Sequence, residues 1–535
     1  MEHLLLRLRH NGQVMMILPP EDTDFNRVSL EEFSAKVFTS NKVESQAMNK
    51  KIRLLFFQVV FLTMSATAQE AFPFFTKDFP VEEFAARRAR VYDATGPSAF
   101  ALVQGAPSPV GYVRFRQSNE FYYLCGVETP HAYILLDGSQ RRSTLYLPHR
   151  NEGRERAEGK ALSPEEEKLV RQFTGVDAVY GVDMLAEHLA RYARGTIVRT
   201  LFTPFSPAEG FAVSRDLAVR SVADASSDPF DGRLSREGNF IQLLRSRFPQ
   251  FEIRDLTPTL DKLRLIKSPL EITLIKKATQ LSAMALMECM RSTKPGIMEY
   301  ELDAVAKFGY YRNGAQGEAY YSLIASGPNA MIGHYNAGRR QMQDGDMLLM
   351  DFGPDYGYYM SDLTRVWPVN GKFNKAQREL YDFYVGCYRA VLKAIQPGLT
   401  AQAILLEAVR EMDGILSRTT FSKPAYERAT KRFVDSFRQS ANRPRASLGH
   451  WVGMSTHDVG EDFGPLRPGM VFTIEPSLLV PEENINIRCE DLIVITEQRA
   501  EVVSDFLPLD AAGIETLMQS NGMLQQYPSA KPMER

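Results

Sequence analysis

The chain has 535 residues, more than a single hydrophobic core usually accommodates, so its length predicts two folded domains with additional segments. Its hydrophobic fraction of 44% and charged fraction of 24% are typical of a globular protein. A net charge of -2 argues against nucleic acid or an anionic membrane as a partner. No two of the four cysteines have the close spacing of a zinc knuckle or a redox motif, so we expect free or buried thiols.

The N-terminal region contains the three parts of a secretory signal peptide in their usual order. Residues 48–53 are basic, residues 54–64 are apolar, and an Ala-Thr-Ala sequence follows at 66–68. The apolar run is shorter than the ~20 residues that span a bilayer, so we expect no stable membrane anchor. We therefore predict a signal peptide over 48–68, with a buried core segment as the alternative.

This assignment predicts export to the periplasm or the extracellular space. Translation would begin at Met48, and residues 1–47 would be a mis-assigned N-terminal extension. The mature protein would then begin near Gln69, which N-terminal sequencing of the native protein tests directly. A native protein that still carries residues 1–47 would contradict both the signal peptide and the start site.

Residues 80–250 show strand and helix signals that predict an α/β domain. Short apolar runs separated by glycine, proline and polar turns predict strands. These runs lie at 99–103, 111–115, 121–125 and 132–137. Ser163 followed by proline and three glutamates predicts a helix start, with serine as the N-cap and proline in the first helical position.

A second domain is predicted over 255–510, followed by a C-terminal helix end and tail over 511–535. Ser268 and Glu271 form the pattern of a capping box, and a long amphipathic helix follows them. The Pro-Gly pair at 295–296 should end this helix.

The second domain contains a weak internal repeat. The Pro-Gly-Ile sequence at 295–297 is matched by Pro-Gly-Leu at 397–399. The Gly-His-Tyr sequence around His334 is matched by Gly-His-Trp around His450, and a predicted hairpin with two acids follows each of them. This order suggests a duplicated half-domain, with a site where the halves meet.

Each of these hairpins carries its two acids on otherwise apolar strands. If the first hairpin folds about residues 356–357, Asp351 lies directly opposite Asp362. If the second folds about residues 482–483, Glu475 lies opposite Glu490. Opposed residues on one face of a sheet have Cβ atoms only ~5 Å apart.

Like charges in such positions destabilise a sheet, and burial of an unpaired ion costs several kcal/mol. The acids could instead face water on edge strands, although the runs around them are apolar on both faces. Two divalent cations would balance four carboxylates, and oxygen-rich ligands with one imidazole suit Mn²⁺, Fe²⁺, Co²⁺ or Zn²⁺. The pattern favours a metal site and leaves the exposed alternative open.

Six motifs surround these acids. They are Asp351-Phe-Gly, Ser361-Asp362-Leu-Thr-Arg365, His450-Trp-Val-Gly, Thr456-His457-Asp458-Val-Gly460, Phe472-Thr-Ile-Glu475-Pro476 and Ile487-Arg488-Cys-Glu490-Asp491. Together they resemble the pita-bread metallopeptidases, and within that group the Xaa-Pro aminopeptidase (aminopeptidase P) family. The resemblance extends over about 80–510, because residues 116–126 resemble that family's N-terminal signature and residues 267–272 its lead-in to the catalytic domain.

The resemblance implies an α+β fold, in which an α/β creatinase/prolidase-type N-terminal domain precedes a pita-bread catalytic domain with duplicated halves. It also implies two divalent metal ions, with Mn²⁺ expected first and Zn²⁺, Co²⁺ or Fe²⁺ as alternatives. Asp362 and Glu490 would bridge the two ions. The implied ligands are Asp351, Asp362, His450, Glu475 and Glu490.

Further roles follow from the resemblance and, for Arg488, from its spacing to Glu490. His334 and His457 would line the substrate site, and His457 would hydrogen-bond the substrate or the tetrahedral intermediate. Glu475 would also shuttle the proton. Arg488 lies two residues from Glu490 on a strand and hence on the same face, so we expect it to hold a ligand in place.

The implied reaction removes the N-terminal residue from peptides with proline in second position, by hydroxide attack from a dinuclear metal site. We expect a peptide substrate and a homo-oligomer, either a dimer or a tetramer. Two positions depart from the family pattern. Ala446 replaces a histidine and Ser477 replaces a glycine. All five ligands are intact, so these departures bear on the shape of the substrate pocket.

Other interpretations are open. An Xaa-Pro dipeptidase (prolidase) shares all five ligands, and a methionine aminopeptidase shares them but usually lacks this N-terminal domain. A creatinase or a non-catalytic binding module keeps the fold and loses ligands, and none is lost here. The sequence contains no glycine-rich phosphate loop, G-x-S-x-G or HExxH motif, which argues against a nucleotide enzyme or a serine hydrolase.

Overall fold

The computed structural model describes residues 7–10, 13–16, 75–194, 199–210, 213–460 and 462–527. The chain divides into one unit over Met1–Pro73 and another over Phe74–Arg535. In the first unit, β1 (Arg7–His10) pairs antiparallel with β2 (Gln13–Met16). The predicted signal peptide over 48–68 lies outside the described residues.

The N-terminal part of the second unit is built on a mixed sheet. Its strands are β3 (Ala99–Gln104), β4 (Tyr133–Asp137), β5 (Arg142–Leu147), β6 (Ala178–Gly181), β7 (Arg199–Thr203) and β8 (Phe251–Asp255). Their order in the sheet is β6-β5-β4-β3-β7-β8. The pairs β3–β4 and β4–β5 are antiparallel, whereas β5–β6, β3–β7 and β7–β8 are parallel.

Helices lie before, between and after these strands in the chain. They are α1 (Val81–Thr95), α2 (Asn119–Cys125), α3 (Glu152–Glu158), α4 (Glu167–Thr174), α5 (Met184–Tyr192), α6 (Arg215–Ser227), α7 (Arg236–Arg247) and α8 (Thr257–Leu265). Side chains such as Phe100, Leu135 and Leu201 from the strands pack with Leu189 and Leu244 from the helices in one buried core. The predicted strands at 99–103 and 132–137 are confirmed by β3 and β4.

Two other strand predictions are wrong. Residues 121–125 belong to α2, in which every side chain is buried, with Ser118 at its N-cap and Gly126 in the left-handed conformation at its end. A short apolar run does not distinguish a buried strand from a buried helix. Residues 111–115 form an irregular loop, in which the side chain of Tyr112 is fully exposed.

The C-terminal part of this unit, from residue 269 onward, combines long helices with short strands. Its helices are α9 (Pro269–Ser292), α10 (Glu299–Arg312), α11 (Lys375–Ala394), α12 (Ala401–Arg418), α13 (Pro424–Ala441), α14 (Ala511–Met518) and α15 (Met523–Gln526). The capping box at the start of α9 is confirmed, because the backbone N–H of Glu271 donates to the Ser268 hydroxyl and the N–H of Ser268 donates to the Glu271 carboxylate. Among the described residues, no helix combines the length and hydropathy that a membrane crossing requires.

The strands of this C-terminal part form small antiparallel sheets. They are β9 (Gly317–Glu318), β10 (Leu323–Ser326), β11 (Met347–Phe352), β12 (Pro354–Tyr356), β13 (Tyr359–Met360), β14 (Leu363–Pro368), β15 (Val471–Ile474), β16 (Ser477–Val480), β17 (Ile485–Arg488), β18 (Asp491–Ile495) and β19 (Ala500–Val502). Within the described residues their orders are β10-β11-β14, β13-β12-β9, β15-β18-β19 and β16-β17. All four cysteines are free and buried, as expected.

Two hairpins in this part are broken at matching positions. The first runs through β11 and β12 and returns through β13 and β14, with interruptions at Gly353 and at 361–362. The second runs through β15 and β16 and returns through β17 and β18, with interruptions at 475–476 and 489–490. An antiparallel bridge between Thr364 and Glu490 joins the hairpins where they are broken. Three of the four acids singled out in the sequence therefore lie in these interruptions.

The register of the second hairpin agrees with the prediction, and that of the first does not. Ile474 pairs with Asp491 and Ser477 with Arg488, so Glu475 and Glu490 face each other across the break. Asp351 pairs with Thr364, two residues away from the predicted partner. The first turn is formed by 357–358, both at positive φ, rather than by 356–357.

Gly353 allows the first hairpin to bend at its interruption. A Cβ at this position would lie 1.8 Å from the carbonyl oxygen of Ser361, so only glycine fits. The bend lets Asp362 turn towards Asp351 although the two residues are not paired. The correction in register therefore does not separate the two carboxylates.

Helix α11 supports the interruption in the second hairpin through tyrosine hydroxyls. Tyr384 donates to the carbonyl of Pro476 at 2.7 Å and accepts from the N–H of Cys489 at 2.7 Å. Tyr388 donates to the carbonyl of Ile474 at 3.0 Å. These hydrogen bonds satisfy backbone groups that the broken ladder leaves free, and so they fix the segments that carry Glu475 and Glu490.

Candidate metal centre

The four acids converge where the two broken hairpins meet. The hydroxyl of Tyr320 donates to carboxylate oxygens of both Asp351 and Asp362. Arg488 donates to the second oxygen of Asp351 and lies 3.9 Å from Glu475. A tyrosine and an arginine thus connect carboxylates that are far apart in sequence.

His450 completes this cluster. Its Nε2 lies 3.4 Å from Asp362 Oδ2, 3.3 Å from Glu475 Oε1 and 3.8 Å from Glu490 Oε1. Its Nδ1 lies 3.2 Å from the carbonyl of Trp451. Because a carbonyl only accepts, Nδ1 carries the proton and Nε2 faces the acids, as a metal-binding histidine requires.

Burial makes the cluster costly to ionise. Glu490 is 1% exposed, and its Oε1 has no hydrogen-bond partner among the described residues. Burial and the charges of Asp362 and Glu475 raise the pKa of Glu490 well above its usual value. Burial also raises the pKa of Asp351 to about 7, although Arg488 acts against that shift.

His450 shows the opposite balance. Burial lowers its pKa, but the hydrogen bond to Asp362 and the charge of Glu475 outweigh burial and raise the pKa to about 9. Full ionisation of such a cluster requires positive charge nearby, and divalent cations supply that charge while displacing protons.

The donor set fits a divalent cation. Ligand atoms of Asp362, His450 and Glu490 lie within 4.8 Å of one another, which is close enough for the three side chains to hold one ion. Carboxylate oxygens with one imidazole nitrogen suit Mn²⁺, Fe²⁺, Co²⁺ or Zn²⁺. Asp351 and Glu475 lie at the edges of this group, where they could contribute to a second ion.

Glu490 is held from behind. The hydroxyl of Thr364 donates to Glu490 Oε2 at 2.7 Å, which leaves Oε1 directed at His450. The buried guanidinium of Arg365 donates to the carbonyl of Glu490 at 2.9 Å and pairs with Asp491 at 2.7 Å. Partners of this kind orient a metal ligand and tune its basicity.

The structure brings His457 to this cluster. The rings of His450 and His457 have centroids 4.1 Å apart. Burial and the nearby His450 lower the pKa of His457 below its usual value. His334 lies in an exposed turn after the 3-10 helix at Gly327–Met331, and it makes no hydrogen bond or ion pair with the described residues. Its predicted role therefore stays a prediction.

An open cleft of about 700 Å³ leads to the cluster. Its walls include Ala446, His450 and His457 from the C-terminal part and Asp216 from the N-terminal part. Ala446, where the sequence departs from the family pattern, thus lies on the wall of the cleft. Alanine is shorter than the histidine of the family pattern, so the cleft is wider at this position.

Sequence reasoning missed Tyr320, Thr364 and Asp216. Thr364 lies two residues after Asp362 in the Ser361–Arg365 motif, so its spacing could have predicted a place near the ligands. Tyr320 and Asp216 stand in no motif, and only the fold brings them to the site.

Comparisons with known proteins agree with this architecture. The sequence model of metallopeptidase family M24 matches residues 273–497. The sequence model of the aminopeptidase P N-terminal domain matches residues 84–201. The chain is 31% identical over 461 residues to Xaa-Pro aminopeptidase from Escherichia coli (strain K12), which covers 82% of this chain and 97% of the relative. It is 29% identical to Xaa-Pro aminopeptidase 3 from Homo sapiens, covering 75% of this chain and 76% of the relative.

A solved structure of aminopeptidase P from E. coli with the inhibitor Pro-Leu has a TM-score of 0.66 and 29% identity, and covers 82% of this chain and 98% of its own. The fold and the carboxylate–imidazole cluster define a metal-dependent hydrolase. The chain belongs to metallopeptidase family M24, with an aminopeptidase P N-terminal domain, and is a metal-dependent aminopeptidase. The expected α+β fold with a pita-bread catalytic domain is confirmed, and the comparisons favour none of the alternative interpretations.

Proposed function

We propose that this aminopeptidase removes the N-terminal residue from peptides with proline in second position. The observation that carries the proposal is the convergence of three carboxylates, Asp362, Glu475 and Glu490, on His450, with one oxygen of Glu490 lacking a partner among the described residues. The relatives named Xaa-Pro aminopeptidase, and the E. coli structure with Pro-Leu, support the choice of substrate.

Two divalent cations are the proposed cofactors, with Mn²⁺ first. A Zn-substituted form of the E. coli enzyme shows that this relative accepts another ion, so Zn²⁺ stays an alternative together with Co²⁺ and Fe²⁺. The proposed ligands are Asp351, Asp362, His450, Glu475 and Glu490. When bound, such cations acidify water and polarise a carbonyl group.

The other residues have distinct proposed roles around this centre. Glu475 is the most exposed of the four acids, with 29% of its side chain accessible, so it is suited to exchange a proton with substrate. His457 lies beside His450 on the cleft wall and is suited to donate to the developing oxyanion. Arg488 and Tyr320 hold Asp351 in place.

Product analysis tests the proposed substrate. The protein is stripped of metal, reloaded with Mn²⁺ and incubated with Ala-Pro-Ala, with Ala-Ala-Ala and with the dipeptide Ala-Pro. We expect release of alanine from Ala-Pro-Ala and much slower cleavage of the other two. Cleavage of Ala-Pro alone would indicate the dipeptidase, and equal cleavage of both tripeptides would contradict the proline requirement.

The homo-oligomer expected from the sequence stays a prediction, which sedimentation analysis tests.

A further inference from the structure

The N-terminal part of the second unit contributes a carboxylate to the surroundings of His457. Asp216 lies in the first turn of α6, between the stretches that the two family models match. Its Oδ1 lies 3.2 Å from Nδ1 of His457. Because the carboxylate accepts, Nδ1 carries the proton, and Nε2 has no hydrogen-bond partner among the described residues. Both side chains line the same cleft as His450.

Backbone hydrogen bonds hold the same two segments side by side. The N–H of Thr456 donates to the carbonyl of Val213 at 2.8 Å, and the N–H of Arg215 donates to the carbonyl of His457 at 3.2 Å. Ser214 and His457 form a parallel bridge. Val213 has a φ of 43°, which β-branched residues rarely adopt, so these contacts hold it in a strained conformation. The segment therefore reaches His457 in one defined register.

A buried ion-pair network anchors this segment on both sides. Arg215 pairs with Glu120 at 2.7 Å and with Glu209 at 3.0 Å. Arg264 pairs with the same Glu209 at 3.1 Å and with Asp458, the residue after His457, at 2.6 Å. The side chains of Glu209, Arg264 and Asp458 are 1% exposed or less. Each of these charged groups has at least two ionic partners, so a displacement of the segment would break several buried pairs at once, and the network resists rearrangement.

We propose that Asp216 is a positioning residue that fixes the tautomer and ring orientation of His457, so that Nε2 is presented to the substrate. The hydroxyl of Ser214 also donates to Oδ1 of Asp216, so this oxygen is held from two directions. The proposal rests on the proposed function, because it assumes that His457 contacts the reacting carbonyl. It makes the N-terminal part a contributor to catalytic geometry as well as to substrate enclosure.

Steady-state kinetics of three variants loaded with Mn²⁺ test this role. Asp216→Ala should lower kcat about 10-fold to 100-fold with KM nearly unchanged and with unchanged metal content. Asp216→Asn should recover most of the activity, because an amide oxygen held by Ser214 still accepts from Nδ1–H. Asp224→Ala removes an exposed carboxylate from the same helix and should behave as the unaltered protein.

A double-mutant cycle with His457→Ala separates positioning from stability. In that background Asp216→Ala should leave kcat unchanged, because the hydrogen bond is already absent. An equal loss in both backgrounds would show a structural role at the start of α6 and would overturn the proposal. So would an unchanged kcat in Asp216→Ala, or an Asn variant as slow as the Ala variant. Failure of the proposed function is distinguishable, because the unaltered protein would then not cleave the Xaa-Pro peptide.

Discussion

Glu490→Ala is expected to abolish peptidase activity and to lower the metal content while leaving the fold largely intact. The side chain lies between three other acids, so its loss removes a proposed bridge between two cations and leaves the remaining carboxylates poorly neutralised. Loss of a residue that merely supports a ligand costs roughly 10–100-fold, and loss of the ligand itself should cost more. Activity on Ala-Pro-Ala, metal content by mass spectrometry and thermal unfolding measure the three effects.

Two further variants distinguish loss of the ligand from misfolding. Glu490→Gln keeps the shape of the side chain and its hydrogen bond from Thr364, so a similar loss of metal excludes misfolding as the cause. Glu482→Ala removes an exposed acid from the tip of the same hairpin and should change neither metal content nor activity. A Glu490→Ala protein that binds two ions and turns over substrate near the normal rate would show that the ligand assignment is wrong.

His457→Ala should retain both metal ions and lose activity. The side chain faces the cleft beside His450 and has no contact with the acids that would make it a ligand of the described cluster. Groups that stabilise an oxyanion or transfer a proton contribute roughly 10²–10⁴-fold, so a loss in that range is expected. It should appear in kcat and kcat/KM together, because an interaction made only in the transition state affects both equally.

The outcome of this substitution separates three roles. Loss of metal would make His457 a ligand and require a different ligand set. A rise in KM alone would indicate uniform substrate binding, and no change would indicate packing. His149→Ala is the matched control, because this exposed histidine also pairs with carboxylates, Glu165 and Asp183, but does not line the cleft.

The second hairpin illustrates what the sequence could predict. Its apolar runs are long, its acidic turn is unambiguous, and one register places Glu475 opposite Glu490, as the structure has it. In the first hairpin the aromatic residues around Gly357 are equally compatible with two turns. The left-handed conformation of Tyr358 decides between them, and a tyrosine carries little sequence signal for that conformation.

Long-range contacts account for what the sequence could not predict. Tyr320 reaches Asp351 and Asp362 only because the chain before β10 passes beside both carboxylates. Asp216 meets His457 across 241 positions of sequence, and neither residue has a local pattern that marks the pair. Residues 121–125 were misassigned for the related reason that complete burial removes the alternation that distinguishes strands from helices.

Anomalous X-ray scattering from crystals of the Mn²⁺-loaded protein tests the central claim most directly. The account predicts two manganese peaks per chain, both within coordination distance of the cluster formed by Asp351, Asp362, His450, Glu475 and Glu490, with density shared at Asp362 and Glu490. An active protein with no peak at this cluster, or with its metal bound elsewhere, would contradict the account.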